Sequence, residues 1–267
     1  MNKVMSMSNR WNELQEFELT KENLARLLNN EIPAIRIRGF ATDDECAAFA
    51  RAMQKANIKT YGKVAVGYIG MAQVEYRWDK SKQDYFADVK SAYNDQQYVF
   101  DNSFNPMERL IERLSECWDG AVGIANEPDF GDYFAGIIRF ASKGIALHAD
   151  YAPFNSPGYA IEKVDSQLGW NLFVEVPSGG GVTTVHNAPW TPEMTGGTPP
   201  PSYGLDRSVV EGAETFDYAP GKGDVVIFNS RNPHEISPGE VGSDQERLQI
   251  GSFIGRLPAT NELVLWA

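Results

Sequence analysis

From residue 134 onward the chain is a succession of short apolar runs separated by turn residues, and this rhythm limits the available folds more than any other feature. The runs are Phe134–Ala141, Ile145–His148, Trp170–Val176, Val182–Asn187, Asp224–Asn229, His234–Ser237 and Arg247–Gly255. Each has the length of a strand, and Pro177-Ser-Gly-Gly-Gly181 and Pro220-Gly-Lys-Gly223 supply tight connections. Such a series predicts a mainly β fold with flanking helices (α+β): an antiparallel jelly roll or double-stranded β-helix, cupin-like, with helices packed outside. The segment Trp190–Tyr218 breaks the rhythm. Its Pro/Gly/Thr-rich stretch TPEMTGGTPPPSYG predicts a long surface loop or an insertion near the barrel mouth.

The first half is mixed. Ile32–Arg38 alternates apolar and polar residues, as a half-buried strand does, and Gly39 ends it. Thr42-Asp-Asp-Glu45 is a capping box, followed by an apolar stripe at Cys46, Phe49, Ala50 and Met53. Asn105-Pro106 opens a second helix, whose stripe continues through Met107, Leu110, Ile111 and Leu114. Both cysteines, Cys46 and Cys117, fall on these stripes and read as core residues. Between the helices, Lys59–Tyr98 is rich in aromatics, which serve either as core and hairpin residues or as a lid over a small-molecule site. We read 1–267 as a single domain: a helical and mixed part over about 1–130, and a jelly-roll core over about 131–267.

Composition removes several functions. The 267 residues are 42% hydrophobic and 12% aromatic, enough for a sizeable core. A net charge of −12 repels phosphate backbones, so no nucleic-acid partner is expected. The polar N-terminus lacks a signal-peptide core and no apolar run is long enough to span a membrane, so no membrane partner is expected either. Two cysteines are too few for a disulfide scaffold, which points to a reducing compartment, the cytoplasm.

Histidine chemistry must draw on His148, His186 and His234. His148-Ala149-Asp150 closes a strand, and residues i and i+2 of a strand project from one face. An imidazole and a carboxylate side by side are two ligands for a divalent metal. A second histidine completes the two-His-one-carboxylate arrangement that leaves positions open on non-haem Fe(II). His186 and His234 both compete for that place. Counting outward from a turn at Glu240 and Val241 sets His234 opposite Arg247 in a hairpin, and this favours His234. An arginine inside a barrel calls for an anionic partner, and guanidinium binds a carboxylate bidentately. His186 is left as a structural residue or a contact at the pocket edge.

These motifs resemble the Fe(II)/2-oxoglutarate-dependent oxygenases, a family with a double-stranded β-helix fold. The resemblance is strongest to the branch of N-acyl amino-acid hydroxylases and indole-alkaloid aliphatic halogenases. It runs through IRGFATDDE, DYFA, IIRFASKGIALHAD, SGGGVTTVHNAPW, GDVVIFNSRNPHEISP, RLQIGSFIGR and LVLWA. The branch's halogenases have glycine where Asp150 stands, which frees a coordination site for chloride; a carboxylate there implies hydroxylation or a related oxidation. The resemblance implies His148, Asp150 and His234 as iron ligands, Arg247 as the clamp for 2-oxoglutarate, and Arg139 and Asn171 as further contacts to it. The implied cofactors are Fe(II), 2-oxoglutarate as co-substrate, and O2.

For the substrate, Tyr68, Tyr76, Trp78, Tyr151 and Phe154, with His186 at the edge, predict a pocket for a mid-sized, partly apolar small molecule. An amino acid or derivative is the preferred class, with Arg77 and Lys163 either pairing with its carboxylate or merely solvated. A homodimer is left open. Two rival classes stand beside this reading: a cupin-type isomerase or dioxygenase that does not use 2-oxoglutarate, and a metal-free jelly-roll binding module.

Overall fold

A computed structural model of the chain describes residues 11–56, 58–60, 67–77, 80–140, 143–195, 204–239 and 247–267. Tyr61, Trp78, the side chain of Arg77, the Pro-rich stretch 196–203 and the turn at Glu240 and Val241 lie outside the described residues.

In chain order, the strands that shape the site are β1 (Ala34–Ile37), β2 (Gly67–Ile69), β3 (Ile137–Phe140), β4 (Ile145–His148), β5 (Ser166–Glu175), β6 (Thr183–His186), β7 (Thr215–Tyr218), β8 (Val225–Asn229), β9 (His234–Ile236), β10 (Leu248–Leu257) and β11 (Glu262–Trp266). They form two main sheets. The larger, of ten strands, runs β1-β8-β5-β10-β3-β2 through its centre, and the smaller is β7-β6-β9-β4. Every pairing along these two runs is antiparallel. From β3 onward the chain keeps crossing between them, with β3, β5, β8 and β10 in one sheet and β4, β6, β7 and β9 in the other.

Alternation along each strand gives the larger sheet two unlike faces. Leu168, Trp170, Leu172 and Val174 of β5, with Ile227 of β8 and Ile250 of β10, turn outward into the main core. The helices α1 (Lys21–Leu28), α2 (Asp43–Lys55) and α4 (Pro106–Ser115) complete it through Leu24, Phe49, Met53 and Leu110. Each such side chain, fully buried, contributes about 1.5–3 kcal/mol. The inner face sends Phe173, Val226 and Phe228 against Val185 and Tyr218 of the smaller sheet. Helix starts follow the sequence signals. Thr42 and Glu45 form the capping box of α2, and Asn105 accepts from the N–H groups of Met107 and Glu108 at the head of α4.

Five expectations are revised. The first strand is buried on both faces, because Arg36 lies between Glu16 at 2.6 Å and Asp224 at 3.0 Å, so its charge is matched and need not face water. The aromatic region keeps an antiparallel pair, Lys59–Thr60 on Gly67–Ile69, and its expected core residues Tyr76 and Tyr85, but its second half is a 20-residue helix, α3 (Lys82–Asp101), capped by Ser81 and Asp84. It buries Tyr85 against Tyr133 and Tyr159. The β9–β10 hairpin does not form: β9 joins the smaller sheet and β10 the larger, so His234 and Arg247 are not cross-strand partners. The break at Trp190–Tyr218 is more than an insertion, since Trp190 is buried and Thr215–Tyr218 is the edge strand β7. Cys46 is buried as expected, whereas Cys117 lies past the end of α4 and is half-buried.

Candidate metal centre

His148 and His234 are register partners on adjacent strands β4 and β9, so their side chains leave the smaller sheet on the same face. Their ring centroids are 4.1 Å apart. Asp150, two residues past His148, brings Oδ2 to 3.7 Å from the Nε2 atoms of both rings. All three side chains are buried, and ligand atoms from the three lie within 4.8 Å of one another. Two imidazole nitrogens and one carboxylate oxygen converging on a point suit a divalent transition metal, and Fe(II) in particular when the remaining positions stay open.

The backbone sets the orientation of each donor. His148 Nδ1 lies 2.7 Å from the Ala146 carbonyl and His234 Nδ1 lies 2.9 Å from that of Asn232. In each ring Nδ1–H donates to the carbonyl, which selects the tautomer with the lone pair on Nε2. Burial, reinforced by His148 alongside, pushes the pKa of His234 well below the usual histidine value and keeps it in the neutral, ligating form.

The loop before His234 is pinned from a distance. Asn232 Nδ2 donates to Asn30 Oδ1 at 2.7 Å, and Asn30 Nδ2 donates to Asn187 Oδ1 at 2.9 Å. Asp150 is held to the same loop, its N–H donating to the Ser230 carbonyl at 2.9 Å while the Ser230 hydroxyl donates to the Asp150 carbonyl at 3.1 Å. The start of β4 needs Gly144, at φ +74°, because a Cβ there would sit 2.6 Å from the Ile236 carbonyl oxygen.

Arg247 is 1% exposed. Its Nη1 donates to the Gly181 carbonyl at 3.1 Å, and its guanidinium carbon lies 5.1 Å from the centroid of the Phe173 ring. Burial lowers its pKa to about 10, with the Tyr218 hydroxyl acting in the opposite direction. A guanidinium kept in so dry a place suits an anionic ligand. Arg139 and Asn171 fall on the inner face of the larger sheet. Arg139 is opposite Gln249 and Tyr68, and Asn171 is opposite Gly251, where a Cβ would crowd the Asn171 Oδ1 at 2.5 Å.

The aromatic candidates separate. Tyr151 lines a small recess of about 20 Å³ that begins at Asp150 and also meets Gln73, Gln167, Phe253 and Trp266. Phe154 packs on Trp190, 5.3 Å between centroids, with the Arg231 guanidinium over Tyr151. Tyr76 turns away from the recess, packing on Tyr85 and donating to Asp88 at 2.8 Å. His186 leaves the opposite face of the smaller sheet from His234, with Nε2 3.2 Å from Glu235 Oε1. Lys163 is exposed on the 3-10 turn Ala160–Lys163. The reading missed Gln73, Gln167, Phe253 and Trp266. Phe253 and Trp266 carried a signal, in RLQIGSFIGR and the terminal LVLWA, and the two glutamines carried none.

Fold and site together define a two-sheet β protein with a buried two-histidine, one-carboxylate donor set. Over residues 9–267 the chain matches the family described as carrier-protein-independent halogenase WelO5, and it belongs to that family. Leucinostatins biosynthesis cluster protein S of Purpureocillium lilacinum is 31% identical over 212 residues, covering 76% of this chain and 86% of that protein. L-gamma-glutamyl-L-propargylglycine hydroxylase of Streptantibioticus cattleyicolor is 29% identical over 167 residues, 61% of this chain but only 59% of the hydroxylase. Among solved structures, an N-substituted L-amino acid dioxygenase from Burkholderia ambifaria AMMD superposes with a TM-score of 0.58 at 16% identity, covering 92% of this chain and 91% of that one. The same dioxygenase has been solved in complex with alpha-KG, with a TM-score of 0.57 at 15% identity and covering 92% and 90% of the two chains. At that identity the likeness is one of fold.

Proposed function

We propose that the chain is a non-haem Fe(II)- and 2-oxoglutarate-dependent dioxygenase that hydroxylates an unactivated C–H bond of a small molecule, an amino acid or derivative. The observation that carries this reading is the buried His148, Asp150 and His234 cluster. Asp150 is decisive within a family described by a halogenase, because a carboxylate fills the position that the halogenases leave to chloride. The hydroxylase and dioxygenase among the relatives support the same choice. The two sheets, with their repeated crossings, are read as a double-stranded β-helix in a single domain, acting in the cytoplasm as a monomer or homodimer. Among the described residues no helix is long and apolar enough to cross a membrane.

Fe(II) and 2-oxoglutarate, when bound, supply O2 activation for C–H oxidation, with succinate and CO2 as co-products. The chain's own work is placement. His148 and His234 offer neutral nitrogens and Asp150 an anionic oxygen, together holding Fe(II). Arg247 pairs with the distal carboxylate of 2-oxoglutarate, and Arg139 and Asn171 line the inner face beside it. Tyr151 walls the substrate side, and the apolar pair Phe173 and Phe228 keeps water from the sheet interior.

The test is anaerobic addition of Fe(II) and 2-oxoglutarate to the full chain. A visible charge-transfer band of the chelate is expected, and Arg247→Ala should raise the half-saturating 2-oxoglutarate concentration by about 30-fold or more. Folded, metal-loaded protein that gives no band would sink the reading. An Arg247→Ala variant with unchanged 2-oxoglutarate affinity would remove the clamp.

A further inference from the structure

The two histidine ligands are braced differently. His148 donates to the carbonyl of Ala146, a residue of its own strand β4, so the sheet ladder already fixes that acceptor. His234 is the first residue of β9, and its acceptor, the Asn232 carbonyl, lies in the loop ahead of the strand. That loop is tied to the end of α1. Asn232 Nδ2 donates to Asn30 Oδ1 at 2.7 Å, and Asn229 Nδ2 reaches the Leu27 carbonyl at 3.5 Å. Asn30 is itself held, its Nδ2 donating to Asn187 Oδ1 at 2.9 Å and its Oδ1 also accepting from Trp11 Nε1 at 3.3 Å. Asn30, Asn187 and Asn232 are all buried. Among the described residues, Asn187 Nδ2 and Asn232 Oδ1 have no partner, which costs the fold stability. Apolar packing would join a helix end to a loop without that cost.

Resting on the metal-centre reading above, we propose that Asn30 is a positioning residue for the iron ligand His234, acting through the Asn232 amide to fix the carbonyl that orients the imidazole. Asn30 sits just past α1 with φ at +61°, the left-handed conformation that ends a helix. Glycine serves that backbone role at least as well as asparagine. Of the two, only asparagine carries the acceptor that Asn232 needs. The brace passes around the end of β8, where Asn229 and the loop to His234 lie, and not through the apolar outer face of the sheet. Partners that hold a ligating histidine set its ring direction, and losing one weakens the metal site.

The test titrates Fe(II) anaerobically into the full-length chain by calorimetry, with a thermal melt of each variant. Asn30→Gly keeps the left-handed backbone and removes only the amide. It is expected to weaken Fe(II) binding about ten-fold per folded molecule. Asn232→Ala deletes the same bond from its other end and leaves the orienting carbonyl in the backbone. It should weaken binding to the same extent, and it carries the test should Asn30→Gly not fold. The double variant should bind Fe(II) no worse than either single one, because both break one link. Leu24→Ala, in the apolar core of the same helix, should lower the melting temperature and leave Fe(II) affinity unchanged. Unchanged affinity in a folded Asn30→Gly or Asn232→Ala, losses that multiply in the double variant, or an equal loss in Leu24→Ala would each overturn the proposal. Wild-type protein that binds no Fe(II) brings down the metal centre itself, and the brace with it, which is a distinct result.

Discussion

The two faces of the larger sheet are built from neighbouring residues and obey opposite rules. On β5, Leu168, Trp170, Leu172 and Val174 face the helices, whereas Gln167, Asn171 and Phe173, displaced by one position, face the interior between the sheets. On β10 Ile250 goes outward and Gln249 inward, and on β3 Ile138 goes outward and Arg139 inward. The outer face is close-packed and apolar. The inner face keeps polar atoms in the dry, including the Gln249 Oε1, which is buried without a partner. Leaving such a group unsatisfied costs about 1–3 kcal/mol. The outer face is therefore given to packing alone, whereas the inner face combines the apolar cluster around Phe173, Val226 and Phe228 with the ligand-facing chemistry.

Substitutions should divide along the same line. His234→Ala is expected to have the largest effect, weakening Fe(II) binding by about 100-fold or more while the protein stays folded. Anaerobic calorimetry with Fe(II), alongside a thermal melt, reads both. Loss of the fold would place His234 with the structural residues and break the contrast. Leu172→Ala, on the outer face, should cost about 2–5 kcal/mol in urea denaturation. Its Fe(II) affinity per folded molecule should match wild type. A fall in affinity comparable to that of His234→Ala would show that the faces are not separable.

The same contrast explains what could be read in advance. His148 ends β4 and Asp150 lies two residues beyond it, so period-two geometry pairs them in the sequence, while the bonds to Ser230 hold Asp150 in place past the strand end. His234 stands in the cluster for a different reason from the hairpin count. It sits opposite His148 across β4 and β9, and Arg247 immediately precedes β10 of the other sheet. A chain that keeps changing sheets makes neighbours in sequence poor guides to neighbours in a sheet. Helix α3 escaped notice because its buried stripe of Tyr85, Val89, Ala92, Gln96, Val99 and Phe100 includes a glutamine. That glutamine is buried because it donates to the Ala135 and Gly136 carbonyls, a tertiary contact with no local signature. Gln73 is hidden for the same reason: only the fold brings the Ser156 hydroxyl to its side-chain oxygen.

The smallest expected effect belongs to the helical layer over the outer face. Arg109 grips Glu45 through Nη2–Oε1 at 2.5 Å and Nη1–Oε2 at 3.0 Å, and it also donates to the Phe40 carbonyl at 2.8 Å. The Arg109 hydrogen bonds hold the Glu45 carboxyl at about 2, below its ordinary value of 4.5. A depressed acid favours the fold above its unfolded pKa, so this contribution is complete above about pH 4.5 and disappears as pH falls toward 2. Both side chains are partly in water, which limits the pair to about 1 kcal/mol. Glu45→Gln should therefore lose about 1 kcal/mol at pH 7 by urea denaturation, and the gap to wild type should close on acidification. Fe(II) affinity at neutral pH should not move. If it did, the helical layer would be coupled to the inner face, and the one-position offset between packing and chemistry would not insulate the metal centre.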